Sequence, residues 1–151
     1  MEKKVVATNR KARFNYTILE TFEAGIIFSG YEVKSLRKGQ ANLTDGFITF
    51  SNNGAYLNNI HIAPYSHQSS HVIDYNPTRS RKILLHKREI TQLHSKVREK
   101  GLSLVPLELY FSKRGLAKVL LGLAKGKTAP DKRETLRKKA AKREIEREMK
   151  Q

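Results

Sequence analysis

Cysteine is absent from the 151-residue chain, which excludes disulfides and thiolate metal sites and fits a reducing, cytosolic setting. No stretch approaches the roughly eighteen consecutive apolar residues of a membrane-spanning helix. The opening MEKKVVATNRKAR lacks the apolar segment of a signal peptide, so the expected location is the cytoplasm, with no membrane partner. Acid is scarce as well: 14 Asp and Glu stand against 30 Lys and Arg, a formal charge of +16. Such an excess favours polyanions, because a basic surface releases their condensed counterions on binding, and nucleic acid is the leading partner. No nucleophile, base and orienting group form a recognisable arrangement, so no enzyme is expected. A ribonuclease would have to bring together His61, His86, Glu23 and Glu32. His61, His67 and His71, with Asp74 as the nearby carboxylate, lack the ligand spacing of a zinc site, and no metal or other cofactor is expected.

What is present is dominated by the stretch from Phe14 to Leu43. Its even positions, Phe14, Tyr16, Ile18, Phe22, Ala24, Ile26 and Phe28, are apolar apart from Glu20, the period of a strand with one buried face. That length exceeds an ordinary strand of about six residues, which predicts a bend or bulge near Glu20 or Gly25, as in a strand curling around a small barrel. Ser29 and Glu32 have capping-box spacing, Val33 and Leu36 share a helical face, and Gly39 is placed to end the helix. Phe47–Phe50 and Ala55–Ile62 flank Ser51-Asn52-Asn53-Gly54, which predicts a hairpin turning at Asn53-Gly54. The polar loop 63–81 carries Tyr65, His67, His71, Tyr75, Arg79 and Arg81, and loops of that length are usually functional or disordered.

From Lys82 to Lys100 the apolar spacing is helical, through Ile83, His86, Ile90, Leu93 and Val97, with Gly101 as the stop; a strand over Ile83–Leu85 is the alternative start. Leu102–Phe111 alternates again, Pro106 marking an edge or bulge. After a turn at Arg114-Gly115, Leu116–Ala124 places Ala117, Val119, Leu121 and Leu123 on one face and Lys118 on the other. The expected organisation is therefore a flexible basic arm (1–13), an RNA-binding barrel (14–125) and a basic tail (126–151). From Ala124 to Gln151 there are 11 Lys and Arg against 5 acids, a net +6. Asp131 and Glu134 suggest a helix start, but Leu136, Ala140, Ile145 and Met149 cannot bury a stripe. The tail is expected to be disordered when free and helical when bound. Gly122–Thr128 looks like a phosphate-binding loop, but is one residue short between its glycines and runs into Ala129-Pro130 where a helix should begin. Glu23, on the outward face of the first strand, is a candidate acceptor for a base amino group; a solvated carboxylate is the plainer reading.

Several of these segments carry a resemblance. Asn9-Arg10-Lys11-Ala12-Arg13, Phe22-Glu23-Ala24-Gly25, Gly30-x-Glu32-Val33-Lys34-Ser35-Leu36-Arg37, Arg81-Lys82-Ile83-Leu84-Leu85, Lys100-Gly101-Leu102 with Val105-Pro106-Leu107, and Ala124-Lys125-Gly126-Lys127 with Asp131-Lys132-Arg133 resemble the SmpB, or SsrA-binding, family of bacterial trans-translation. The resemblance runs from about Asn9 through the tail. It implies a mainly β fold, a small antiparallel barrel of OB-like topology with flanking short helices and a basic C-terminal tail. It implies binding to the tRNA-like domain of transfer-messenger RNA, in place of a missing anticodon arm. The further partners it implies are the A site, decoding centre and message channel of a stalled ribosome's small subunit. Elongation factor Tu and alanyl-tRNA synthetase come indirectly, through the RNA. Carried over by motif, the RNA-binding positions are Asn9, Glu23, Leu84 and Lys118, and the tail positions Gly126, Lys127, Asp131, Lys132 and Arg133. The sequence departs from the family's pattern at Ala129-Pro130, where many relatives have a histidine or aromatic residue, and at Thr128, usually lysine. The expected tail contacts are thus those of Lys127, Lys132 and Arg133 with phosphates. A ribosomal RNA-binding or assembly protein on the same barrel is the second reading, a ribonuclease the third.

Overall fold

A computed structural model describes residues 3–52, 54–65 and 75–150. The long alternating segment forms β2 (Tyr16–Ile26), paired antiparallel with β9 (Ala117–Gly126) and, at its end, with β7 (Arg81–Leu84). The expected bend is a bulge. Ile18 pairs with Ala124 and Glu20 with Leu123, so Leu19 is an extra residue, and one extra residue moves the side chains beyond it to the other face. Tyr16 and Ile18 therefore pack with Ala12, Val105, Leu107 and Ala124 outside the barrel, whereas Phe22, Ala24 and Ile26 enter its main core. The single buried face expected of this segment is two faces joined at Leu19.

The main sheet has seven strands in the order β1 (Lys4–Thr8), β8 (Ser103–Phe111), β9, β2, β7, β5 (Gly54–Asn58), β4 (Phe47–Ser51). Two short strands, β3 (Ala41–Asn42) and β6 (His61–Ile62), pair separately. Every pairing is antiparallel. The sheet curls until β4 packs against β8, around a core that includes Leu57, Ile60, Ile83, Leu109, Val119 and Leu121. Among the described residues β1 and β4 are not hydrogen-bonded to each other; the result is a partly open, mainly β barrel of OB-like topology.

The segment 1–13, expected as a flexible arm, is part of this fold where it is described. β1 extends the sheet beside β8, and α1 (Arg10–Asn15) follows it. Val6 and Ala7 pack on the main core and Ala12 on the outer cluster, too few apolar positions to show a period in a sequence whose other residues there are mostly basic.

α2 (Gly30–Arg37) starts at the expected capping box: Ser29 Oγ accepts from the Glu32 amide at 3.3 Å and Glu32 Oε1 from the Ser29 amide at 2.9 Å. Gly39, at φ 72°, follows its end. In the β4–β5 hairpin Ser51 pairs with Gly54, so Gly54, expected in the turn, is already the first residue of β5; Asn53 lies outside the described residues. The run Ala55–Ile62 is two strands, because the chain breaks direction at Asn59, φ 59°, and leaves β5 to meet β3. The strand reading holds for Ile83–Leu84. α3 (Lys87–Lys100) begins after it, where Glu89 Oε1 accepts from the His86 amide at 3.0 Å, and Gly101 at φ 61° ends it. Pro106 adjoins a bulge in β8, Leu107 being the extra residue.

The tail holds α4 (Ala129–Met149), whose N-cap is Thr128 and not Asp131; Asp131 is the third helical residue and closes the capping box. Pro130 is compatible with this start because first-turn amides have no intrahelical partner to lose. No α4 side chain is buried, in keeping with the missing apolar stripe. A helix does therefore follow Thr128, but Gly122 and Gly126 both lie within β9, so the phosphate-loop resemblance has no loop behind it.

Candidate nucleic-acid interface

Register brings the middle of the sheet together. Gly25 of β2 is paired with Lys118 of β9 on one side and with Leu84 of β7 on the other. Directly opposed residues project to the same face, so Lys118 and Leu84 flank a position with no side chain, and Glu23, two residues back on β2, shares that face. Together with Leu85, His86 and Glu89 these residues line a shallow cleft of about 380 Å³. Leu84 is 53% exposed, an apolar surface beside a carboxylate and an ammonium. Such a set suits a nucleotide: Leu84 against a sugar or base face, Lys118 for a phosphate, and Glu23 to accept from an exocyclic amino group.

Glu23 is not free to rotate away. Its Oε2 accepts from the hydroxyl of Tyr110, which stands opposite Lys118 on β8. Burial, then the hydrogen bond to Glu23 and the charges of Glu23 and Glu108, push the Tyr110 phenol well above its ordinary range, so it remains a proton donor at any working pH. Lys3 Nζ lies 4.2 Å from the Tyr110 ring centroid and 3.2 Å from Glu108 Oε1.

Asn9 is elsewhere, and buried (2% exposed). Its Oδ1 accepts from the Ala12 amide at 3.0 Å, capping α1, and its Nδ2 donates to the carbonyls of Leu43 (3.1 Å) and Pro106 (2.9 Å). Its amide donates to the Leu107 carbonyl at 2.8 Å, so Asn9 fills the hydrogen-bonding edge of β8 where β1 stops. Its placement is that of a structural joint. Asn9→Ala removes a cap and leaves buried carbonyls without a donor, an expected loss of about 2 to 4 kcal/mol of stability by urea unfolding. If RNA affinity falls while the unfolding midpoint is unchanged, Asn9 is a contact residue after all.

The tail positions form a second group. Gly126 pairs with Tyr16 at the end of β9. The Lys127 amide donates to the Asn15 carbonyl at 2.8 Å, and its Nζ to Thr135 Oγ1 at 2.8 Å and the Arg13 carbonyl at 3.4 Å, tying the base of α4 to α1. Asp131 Oδ2 lies 2.9 Å from Thr128 Oγ1 and accepts from the Thr128 amide at 3.3 Å. Those bonds, with minor help from Lys127 and Lys125, hold its carboxyl below the usual range. Lys132 is half-buried and Arg133 exposed. A cleft of about 630 Å³ between α4 and the barrel is lined in part by Arg13, Lys125, Lys127 and Lys138.

The described part of the 63–81 loop builds an ion-pair network with α2. Glu32 and Arg81 have fully buried side chains and are paired; Arg81 Nε donates to Glu32 Oε2 at 2.9 Å. Arg79 donates to both Glu32 oxygens, and Tyr75 OH to Glu32 Oε2 at 3.2 Å and the Ile62 carbonyl at 2.9 Å. Burial alone would raise the Glu32 carboxyl, but hydrogen bonds from Arg79, the Ser29 amide and Arg81, with the Arg81 charge, bring it below its ordinary value. Of the groups a ribonuclease would assemble, Glu23 and His86 share a cleft, Glu32 is consumed in this network, and His61 is on β6. His67, His71 and Asp74 lie outside the described residues. Tyr110 and Gly25 are the participants that sequence reasoning missed; a glycine inside an alternating strand was the available signal.

Residues 6–151 match the family model described as SmpB protein. The chain is 53% identical over 150 residues to the SsrA-binding protein of Shouchella clausii (strain KSM-K16), covering 99% of this chain and 94% of that one. It is 52% identical over 145 residues to the SsrA-binding protein of Staphylococcus aureus (strain Newman), covering 96% and 92%. Among solved structures it is similar to a chain described as "tmRNA-SmpB: a journey to the center of the bacterial ribosome", with TM-score 0.69, 51% identity, and 87% and 94% of the two chains covered.

Proposed function

The chain belongs to the SmpB family of SsrA-binding proteins, and from that premise we propose that it binds the tRNA-like domain of transfer-messenger RNA and brings it to stalled ribosomes. The observation that carries this reading is the outward-facing cleft in which Glu23, Leu84 and Lys118 meet around Gly25. The barrel grips folded RNA by shape, phosphate contacts and a few polar readouts, standing in for an anticodon arm in the A site. α4 is a separate module. With no buried side chain, its helicity rests on its cap and on composition, without the packed apolar face that stabilises most protein helices; it is mobile in the free protein and ordered along ribosomal RNA. Lys127, Lys132 and Arg133 supply phosphate contacts in the decoding centre and message channel, Asp131 fixes where the helix starts, and Gly126 marks where it departs from the barrel. Alanyl-tRNA synthetase and elongation factor Tu act through the RNA, and the work is cytoplasmic. The mechanism is binding throughout, as befits an RNA-binding family.

Glu23→Ala is expected to weaken the complex with a transcript of the tRNA-like domain by about 1 to 3 kcal/mol, the size of one good polar readout, while leaving binding to unrelated RNA unchanged. A dissociation constant equal to wild type at moderate salt refutes the placement of RNA on this face.

A further inference from the structure

Glu23 is exposed on a strand, and an exposed carboxylate samples several rotamers, so a fixed readout contact requires something to hold it. That support is on the next strands. Tyr110 stands opposite Lys118, and Lys118 opposite Gly25, so the phenol reaches Glu23 across β9. Tyr110 is itself only 3% exposed, and the ammonium of Lys3 rests over its ring at 4.2 Å. Lys3 is held in turn by Glu108 at 3.2 Å. Among the described residues Glu23 Oε1 accepts no hydrogen bond, so one oxygen is anchored and one is open.

We propose that Tyr110 is a positioning residue for RNA recognition: its hydroxyl fixes Oε2 of Glu23 so that Oε1 is presented to a donor on the RNA. A free carboxylate loses rotamer entropy when it binds; a tethered one has lost it already, and preorganisation of that kind raises affinity without adding a contact. β1 takes part indirectly, because Lys3, beside the start of that strand, covers the ring.

The inference rests on the proposed role of Glu23, and a double-mutant cycle separates the two. Tyr110→Phe keeps the ring, its packing and the seat of Lys3 while removing the hydroxyl. With the full chain and a transcript of the tRNA-like domain, Tyr110→Phe is expected to weaken binding by about fivefold to tenfold, the order of the ordering cost that an untethered side chain has to meet on binding. The slope of affinity against salt should not change, since no phosphate contact is lost. In a Glu23→Ala background the same substitution should have no effect. If Glu23→Ala is itself silent, the RNA does not lie on this face and both ideas fall. If Glu23→Ala weakens binding but Tyr110→Phe does not, or if the two losses simply multiply, the positioning role is overturned and the reading of Glu23 stands. A fall in thermal stability matching the loss of affinity, undiminished in the Glu23→Ala background, would assign Tyr110 a structural role and overturn the inference as well.

Discussion

Replacing Glu32 by alanine is expected to lower the stability of the folded chain by about 3 to 5 kcal/mol, the cost of leaving a buried charge without its partner. The carboxylate is the hub of a network, and both it and the Arg81 side chain are withdrawn from water. Arg81 keeps the carbonyls of Ile60 and Pro77 as acceptors, but these neutralise no charge. Arg79, partly exposed, can turn to solvent; Arg81 cannot. The network joins α2 to β7 and, through Tyr75, to β6, so the loss is felt across one end of the barrel. For a chain of this size the melting temperature should drop by roughly 10 to 20 °C. If orphaning is the cause, Glu32→Leu with Arg81→Met recovers most of the loss, because apolar replacements of a buried pair are often neutral. A double variant no better than Glu32→Ala would assign the cost to packing of α2.

The same carboxylate sets a pH dependence. Its folded pKa lies below the ordinary glutamate value, so it binds its proton less readily in the native state than in the unfolded one. The stabilisation is complete above the unfolded value of about 4.3 and is lost as pH falls through the folded one. Glu32→Gln cannot lose it. Below about pH 4.3 the stability difference between wild type and Glu32→Gln should therefore shrink, and a constant difference from neutrality into that range would contradict the shift.

These ion pairs also show where sequence reading stops. The period-two runs of β2, β8 and β9 are local, and so is the Ser29–Glu32 box; each is legible because its evidence lies within a few residues. Arg81 was not. Its partner is 49 positions away, and a sequence displays its charge but not its burial, so the loop carrying Tyr75, Arg79 and Arg81 gives no local sign of the structural network those side chains form. The bulge at Leu19 was anticipated nearby, yet its consequence was not, because swapping faces depends on what covers the outer side, here Ala12 of an unforeseen helix. At the candidate site, alternation was enough to turn Glu23 outward. That Leu84 and Lys118 flank Gly25 is a matter of register between strands far apart in the chain, and those two residues entered through family resemblance alone. Tyr110 shares their face but matched no motif.

Ending the chain after Lys127 is expected to abolish tagging on stalled ribosomes while leaving the barrel and its RNA complex nearly intact. Nothing in the described part of the tail beyond that point is buried, so the free energy of unfolding should change by no more than about 0.5 kcal/mol, as for changes at a solvated surface. The hydrogen bond that the Lys127 amide donates to the Asn15 carbonyl survives the cut. What goes is a cationic segment carrying Lys132 and Arg133, whose attraction to RNA is non-specific and salt-sensitive. Affinity for the tRNA-like domain should therefore fall modestly at low salt and converge on that of the full chain as ionic strength screens the difference. Tagging is another matter, because ordering α4 along ribosomal RNA is a step the barrel cannot perform for it. The decisive comparison is one preparation assayed twice, for RNA binding at near-physiological salt and for addition of the tag to a nascent chain on a ribosome without a stop codon. If RNA affinity collapses by orders of magnitude, the tail belongs to the same recognition surface as Glu23; if tagging persists, α4 is dispensable to the rescue.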